Sequence, residues 1–187
     1  MNTPQPTQTA RNHAGPGLYR LKVLDGFEVA NPDLDIRGWE VFGVDGAHIG
    51  MIEDLIVDPD RLEVRYVFVR MTEDASDDAA YVIIPIGMIS ADKREDKVHL
   101  VGVETAYVRG LPHFLGDHIE RSFERSTRET LSRKPDATSA PDDDSFYQHP
   151  HFDGNRFLER RRRQLIDRAG ALTSTLNRNP YLRRRIR

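Results

Sequence analysis

The sequence predicts a mainly β protein, in which a small antiparallel β-barrel is followed by a surface helix and a C-terminal amphipathic helix. Short apolar runs separated by turn residues fill the region from Leu18 to about Leu111, and this spacing is typical of an antiparallel barrel or sandwich. Val44-Asp45-Gly46 is a hairpin turn, because Gly46 can take a positive φ without a Cβ clash. After Pro112 the apolar spacing changes to that of a weak helical face.

Six apolar runs are predicted to be the strands of the barrel. They combine β-branched residues with turn signals at each break, and their edges require closure or cover. The runs are Leu18 to Leu24, Ile36 to Phe42, His48 to Val57, Leu62 to Met71, Ala80 to Ile86 and Lys97 to Val103.

The chain divides into five segments of different composition. Residues 1–17 are polar and contain several Pro and Gly, so we predict a flexible arm. The barrel follows over 18–112 and a surface helix over 113–134. Residues 135–152 are acidic and rich in small residues, which predicts a flexible linker. Residues 153–187 are predicted to be a basic, amphipathic, helical tail.

Charge is distributed unevenly along the chain. The formal net charge is −3, but residues 153–187 contain eleven Arg and three acidic residues and carry +8, so the remaining residues carry −11. The absence of Cys excludes disulfides, thiolate catalysis and cysteine-ligated metals. Neither a secretory signal nor a run of about 18 apolar residues is present. We therefore expect a cytoplasmic protein.

Five motifs resemble the PRC-barrel family, which is named for the cytoplasmic domain of the H subunit of the purple-bacterial photosynthetic reaction centre and also occurs in a ribosome maturation factor. The resemblance covers about Leu18 to Pro112 and implies a PRC-type barrel. Phe27 to Ala30 is more similar to the H-subunit branch than to the ribosomal branch. The motifs are Pro32 to Trp39, Val44 to Gly50, Asp54 to Asp58, Arg65 to Val69 and Ile83 to Gly87.

Two features differ from the H subunit. The H subunit has an N-terminal transmembrane helix, whereas this sequence has the polar residues 1–17. A family glutamate that assists proton delivery to the secondary quinone corresponds to Arg61 here, three residues after Asp58. Asp58 and Asp60 remain candidates nearby, but the resemblance does not imply that the proton route is inherited.

Histidines are the candidates for metal binding, and paired acids are the candidates for acid–base catalysis. The paired acids are Glu53-Asp54, Asp58-Asp60 and Asp142-Asp143-Asp144. His149, His151 and Asp153 could ligate a divalent ion, but alternate residues of an extended segment point apart, and Pro150 favours extension at His149. His113 and His118 are poorly spaced for one helical face. No nucleophile-and-base motif or phosphate-binding loop occurs. We therefore expect no metal site, no cofactor and no enzymatic activity.

The basic tail is the predicted partner-binding element. Its leucines recur every seven residues, so arginines and an apolar stripe occupy the same predicted helix, which is weakened near its middle by Gly170. Pro180 is expected to end this helix or to begin a short final piece. The predicted partner-binding residues are Arg156, Arg160, Arg161, Arg162, Arg163, Leu158, Leu165, Leu172, Arg183, Arg184 and Arg185.

Several partners remain open for this tail. An anionic bilayer, an acidic protein and nucleic acid all suit clustered arginines. The helix could equally pack its stripe on its own barrel. Trp39, the only Trp, is read either as an interface anchor or, with slightly more weight, as barrel packing.

The function expected from these features is non-enzymatic assembly. The resemblance to the H-subunit domain implies capping or stabilisation of a photosynthetic or other membrane complex, with reaction-centre subunits among the protein partners. The alternative is a nucleic-acid or ribosome-associated module that binds RNA through its arginines. A third possibility is a homodimeric barrel in stress response or another bacterial assembly.

Overall fold

The computed structural model describes residues 17–30, 35–72, 80–132, 144–154 and 182–184. These residues contain ten strands and two α-helices, together with short 3₁₀ turns at Leu21–Val23, Ile86–Met88, Asp144–Gln148 and Pro150–Phe152. The elements are β1 (Leu18–Arg20), β2 (Phe27–Val29), β3 (Glu40–Phe42), β4 (His48–Asp58), β5 (Glu63–Met71), β6 (Tyr81–Pro85), β7 (Ile89–Asp92), β8 (Lys97–Leu100), α1 (Thr105–Arg109), β9 (His118–Ile119), α2 (Arg121–Ser132) and β10 (Leu182–Arg184).

Strand β4 is the centre of the main sheet. One of its edges pairs antiparallel with β5. The other edge is shared, because β3 pairs with its N-terminal half and β1 pairs with Ile56 and Val57. Register shifts interrupt the β4–β5 pairing between Ile52 and Asp54 and between Ile56 and Val57. Since such irregularities bend a strand and increase its twist, they help β4 to curve the sheet.

The main sheet is an open half-barrel of mixed direction. Its strands follow the order β6-β5-β4-β3-β8-β7, and β1 and β9 are attached at the side of β4. The mainly β fold is confirmed, but the expectation of a wholly antiparallel sheet is wrong at one place, because β3 and β8 are parallel from Glu40–Lys97 to Phe42–His99. These two strands are joined by a long connection rather than a hairpin, so they are free to run in the same direction.

Strand β5 is buried on both faces. Val67 and Val69 belong to the cluster inside the half-barrel. Tyr66 and Phe68 belong to a second cluster on the outer face. Successive side chains of a strand point to opposite faces, so the near-continuous apolar run of β5 indicates cover on both sides. The outer face is covered by residues that follow the barrel in sequence.

A buried ion pair joins β1 to β4. The Arg20 guanidinium donates to the Asp54 carboxylate at 3.3 Å and lies 4.0 Å from the centroid of the Phe68 ring. The same carboxylate oxygen accepts the backbone N–H of Lys22, also at 3.3 Å. The charges are therefore compensated within the protein, which a buried pair requires.

All six predicted strand regions contain a strand, and four short strands were not predicted: β2, β7, β9 and β10. The predicted surface helix is α2, but it begins only at Arg121, because His118–Ile119 pairs with β1. Trp39 packs partly buried against the inner cluster, as the packing interpretation expects. Among the described residues, no helix is long and apolar enough to cross a membrane.

Candidate protein-interaction site

The residues 144–152, hereafter the strap, dock on the outer face of the half-barrel. Their two consecutive 3₁₀ turns bury Phe146 and Phe152, which are only 8% and 5% exposed. The prediction of a flexible linker over 135–152 is therefore wrong for the strap. Most acidic residues of 135–152 precede the strap, and the three aromatic residues within it supply enough apolar area to hold the segment on the barrel.

Arginines sandwich the strap aromatics. The Arg65 guanidinium lies 4.0 Å from the centroid of the Tyr147 ring. Arg121 lies 4.6 Å from the rings of both Phe146 and Tyr147. These cation–π contacts come from β5 and from α2, so the strap bridges the sheet and the helix.

A glycine allows the strap backbone to approach the sheet closely. A Cβ added to Gly87 would lie 2.5 Å from the carbonyl oxygen of Pro150 and 2.7 Å from that of His151. Real Cβ atoms do not approach backbone oxygens so closely, so this position, at the turn after β6, accepts the strap only as glycine. The packing of the Phe152 ring edge-on to Tyr66, with a centroid separation of 5.3 Å, depends on that approach.

Glu124 connects the strap to β5 and α2. Its carboxylate accepts hydrogen bonds from the Tyr66 hydroxyl at 2.9 Å and from the Tyr147 hydroxyl at 2.9 and 3.0 Å. Arg121 lies one helical turn earlier and forms an ion pair with it at 3.2 Å. Along α2, Glu124, Thr127 and Leu131 form the buried face.

Burial controls the electrostatics of this cluster. It raises the pKa of Glu124, and Arg121 together with the two tyrosine hydroxyls opposes that rise. Burial and the neighbouring carboxylate also raise the pKa of Tyr66 and of Tyr147. Because Glu124 is 2% exposed and is covered by Tyr147, the arrangement favours a structural connector over a proton donor for an external substrate.

The second docked segment is β10, which pairs antiparallel with β2. The register places Leu182 opposite Val29, Arg183 opposite Glu28 and Arg184 opposite Phe27. In the described residues this is a two-stranded sheet separate from the main one. A cleft of about 160 Å³ adjoins β2 and has Lys22, Glu28 and Arg37 in its lining. It is smaller than the roughly 300–1,000 Å³ of ordinary ligand pockets.

The structure describes few of the predicted partner-binding residues. Arg183 and Arg184 lie on β10. The others lie outside the described residues: Arg156, Leu158, Arg160, Arg161, Arg162, Arg163, Leu165, Leu172 and Arg185. The short final piece expected after Pro180 is thus a strand where it is described.

The candidates for chemistry have local structural partners. Asp58 Oδ1 accepts the backbone N–H groups of Asp60 and Arg61 at 3.1 and 3.0 Å, so this carboxylate shapes the β4–β5 turn. His149 Nδ1 accepts the backbone N–H of His151 at 3.3 Å, which caps a 3₁₀ turn of the strap. No group of three or more potential metal ligands occurs among the residues with described positions.

Glu124 and the strap aromatics were not identified from the sequence. A single glutamate within the polar sequence of α2 gives no signal of burial. A usable signal did exist in the strap, because Phe146, Tyr147 and Phe152 interrupt a segment otherwise made of acidic, small and polar residues. Such aromatic clustering indicates a docked segment rather than a linker.

Comparison with known families agrees with this geometry. Residues 31–105 match the family model of the PRC-barrel domain. That range includes every strand from β3 to β8, which form the path of the main sheet. No curated protein matched the chain. The match concerns the domain and gives no support for a closer likeness to the reaction-centre H subunit, which stays a prediction. Residues 31–105, which contain the central strands of the half-barrel, are therefore identified as a PRC-barrel domain.

Proposed function

We propose that the chain is a non-enzymatic assembly module that holds a basic segment against a partner at the cytoplasmic face of a membrane complex. One observation carries the proposal: the strap and β10, which flank residues 155–181 in the sequence, both contact other described parts of the chain. The segment between them contains seven Arg and two acidic residues. Both flanks of the basic segment are therefore attached to an otherwise acidic body.

The strap is the stronger of the two attachments. It contributes buried aromatic rings, two hydrogen-bonded contacts from Tyr147 to Glu124, and cation–π contacts to Arg65 and Arg121. The basic segment begins directly after it. The strap therefore fixes the point on the barrel from which the basic segment starts. The arginines supply attraction to an anionic or acidic surface, at about 1 kcal/mol for each basic residue near a membrane surface.

A membrane protein complex is the proposed partner, and in a phototroph this would be the reaction centre. An acidic body with a basic extension suits a surface on which anionic lipid and protein lie side by side. The barrel would meet the protein and the arginines would meet the lipid border or acidic residues of the protein. In this arrangement, the shape of the barrel determines which protein is recognised, and the charge of the arginines supplies the attraction.

The proposal is tested by sedimentation with membranes of the source organism. The native chain is compared with a variant in which Arg160, Arg161, Arg162 and Arg163 are replaced by Gln, using intact membranes, protease-treated membranes and protein-free vesicles of the same lipids. We expect the native chain to bind intact membranes best, and the variant to lose most of that binding at low salt. A matched control also removes four positive charges, by replacing Lys93, Arg94, Arg109 and Arg125 by Gln.

Two outcomes would contradict the proposal. Binding to protease-treated membranes and to lipid vesicles that is as strong as binding to intact membranes would assign the arginines to lipid alone. Tighter binding to single-stranded RNA, with a steep salt dependence that disappears in the Gln variant, would favour the nucleic-acid alternative.

A further inference from the structure

We propose that β10 exchanges between two copies of the chain, so that the tail strand of each copy pairs with β2 of the other and forms a homodimer. The pairing surface is defined by the register: Leu182, Arg183 and Arg184 lie opposite Val29, Glu28 and Phe27. A second copy contains the same strand, so it presents to β2 the same sequence in the same register. No new contact surface is required.

The β2–β10 pairing is small enough to open. It joins three residue pairs and, in the part of the chain that the structure describes, belongs to no larger sheet. An isolated two-stranded sheet is marginally stable in water. The strap has much larger contacts with the barrel, so β10 can leave while the strap remains docked. Opening β10 exposes an unpaired edge of β2, which readily accepts another strand.

The connection to the strap is long enough for exchange. Gly154 and Leu182 are separated by 27 intervening residues. At about 3.3 Å per residue, an extended connection of that length spans up to roughly 90 Å. The strand of one copy can therefore reach β2 of a neighbouring copy without displacing either strap.

Charge is compatible with pairing between copies as well as within one copy. Residues 153–187 carry +8 and the rest of the chain carries −11, so the tail is attracted to the body of another copy as it is to its own. The register also places the basic Arg183 opposite the acidic Glu28. Opposite charges at directly opposed positions stabilise antiparallel pairs, and like charges destabilise them.

A charge-exchange experiment separates pairing between copies from pairing within one copy. In Glu28→Arg alone, and in Arg183→Glu alone, like charges face each other whether the strand pairs within its own copy or with an identical copy. In a mixture of the two variants, exchange restores both opposite-charge pairs of the dimer. The chain has no Cys, so Asn2→Cys provides a unique labelling position on one variant.

Sedimentation velocity from about 10 µM to 1 mM protein measures the outcome, because pairing within one chain competes at an effective concentration near the millimolar range. We expect the native chain to dimerise increasingly with concentration. Each variant alone should dimerise no more than the native chain, and the mixture should form heterodimer at about fivefold higher affinity for each restored pair. Glu129→Arg, an exposed charge reversal on α2, is the matched control and should dimerise like the native chain.

Three results would overturn the exchange. A native chain that stays monomeric at 1 mM would exclude it, and so would a mixture that dimerises no better than either variant alone. A chain ending at Asn179 that still dimerises would assign the dimer to another surface. All these measurements use purified protein without membranes, so failure of the membrane-assembly proposal leaves them unchanged.

Discussion

Glu124 is the residue at which three elements of the protein meet. It belongs to α2, accepts a hydrogen bond from Tyr66 of β5, and accepts two contacts from Tyr147 of the strap. The identity of this residue matters because a buried carboxylate is costly unless its oxygens are paired. Its connection to Arg121 and to both hydroxyls meets that requirement.

Replacing Glu124 by Gln is expected to flatten the pH dependence of stability. Burial raises the pKa of Glu124 in the folded protein above its ordinary value of 4.5, so the folded state binds the proton more tightly than the unfolded state. The contribution of this group is therefore fully present below the unfolded pKa and is lost as the pH rises through the folded pKa. Glu124→Gln removes this titration. Urea unfolding at pH 4 to 8 measures the free energy of unfolding.

The informative quantity is the difference between the native chain and the variant at each pH. We expect the native chain to lose stability relative to Glu124→Gln as the pH rises. Glu129→Gln, on the same helix but exposed, is the control substitution. A constant difference for Glu124→Gln would contradict the assigned direction of its pKa.

At the scale of elements, the strap depends on one close approach. Gly87 leaves room for the carbonyl oxygens of Pro150 and His151, and this contact sets the distance between strap and sheet. The aromatic contacts of Phe146 and Phe152 follow from that distance. A methyl group at this position acts on the strap while leaving the pairing of β5 with β6 in place.

Gly87→Ala is expected to loosen the strap. The added Cβ would overlap the strap backbone, so the strap must move away, at a cost of about 1–3 kcal/mol in the free energy of unfolding. Hydrogen exchange of residues 144–152 should accelerate, whereas exchange in β4 and β5 should change little. Gly110→Ala is the matched control, because the nearest atom to its added Cβ is 3.5 Å away. Unchanged protection of the strap in Gly87→Ala would contradict the close approach.

The long strands could be predicted from the sequence, whereas the strap could not be predicted from average composition. β4 and β5 could be predicted from local sequence alone, because both are rich in β-branched residues and are bounded by clear turn signals. β2 and β10 are three residues each and form only by pairing over a long sequence separation. The parallel pairing of β3 with β8 likewise depends on the whole sheet. Glu124 is buried because α2, β5 and the strap meet around it, so no local sequence pattern predicts its burial.

At the scale of the whole molecule, the barrel and the strap form one unit. The outer cluster combines Ile56 and Phe68 of the sheet with Phe146 and Phe152 of the strap. The PRC-barrel match ends at residue 105, before the strap begins. The folded unit is therefore larger than the matched domain.

Two truncations are expected to differ sharply. A chain ending at Gly154 keeps both clusters and, of the elements that the structure describes, loses only β10, so its free energy of unfolding should fall by no more than about 1 kcal/mol. A chain ending at Ser132 loses the strap and exposes the outer face of β5, and should lose at least about 3 kcal/mol, since burial of one large apolar side chain contributes about 1.5–3 kcal/mol. Denaturant unfolding of the two chains measures the contrast. Equal stability would mean that the strap is not part of the folded unit.

The shared edge of β4 also determines the order in which this protein can assemble. β4 and β5 are adjacent in sequence and can form a hairpin early, because a short loop closes at low entropic cost. β1 leaves the ribosome before them, yet its partners are the far end of β4 and β9, which is separated from it by most of the barrel. Among the described strands, β1 is therefore synthesised first but completes its pairing only after His118 and Ile119 are made, and interruptions of synthesis before His118 leave it with only one of these two partners.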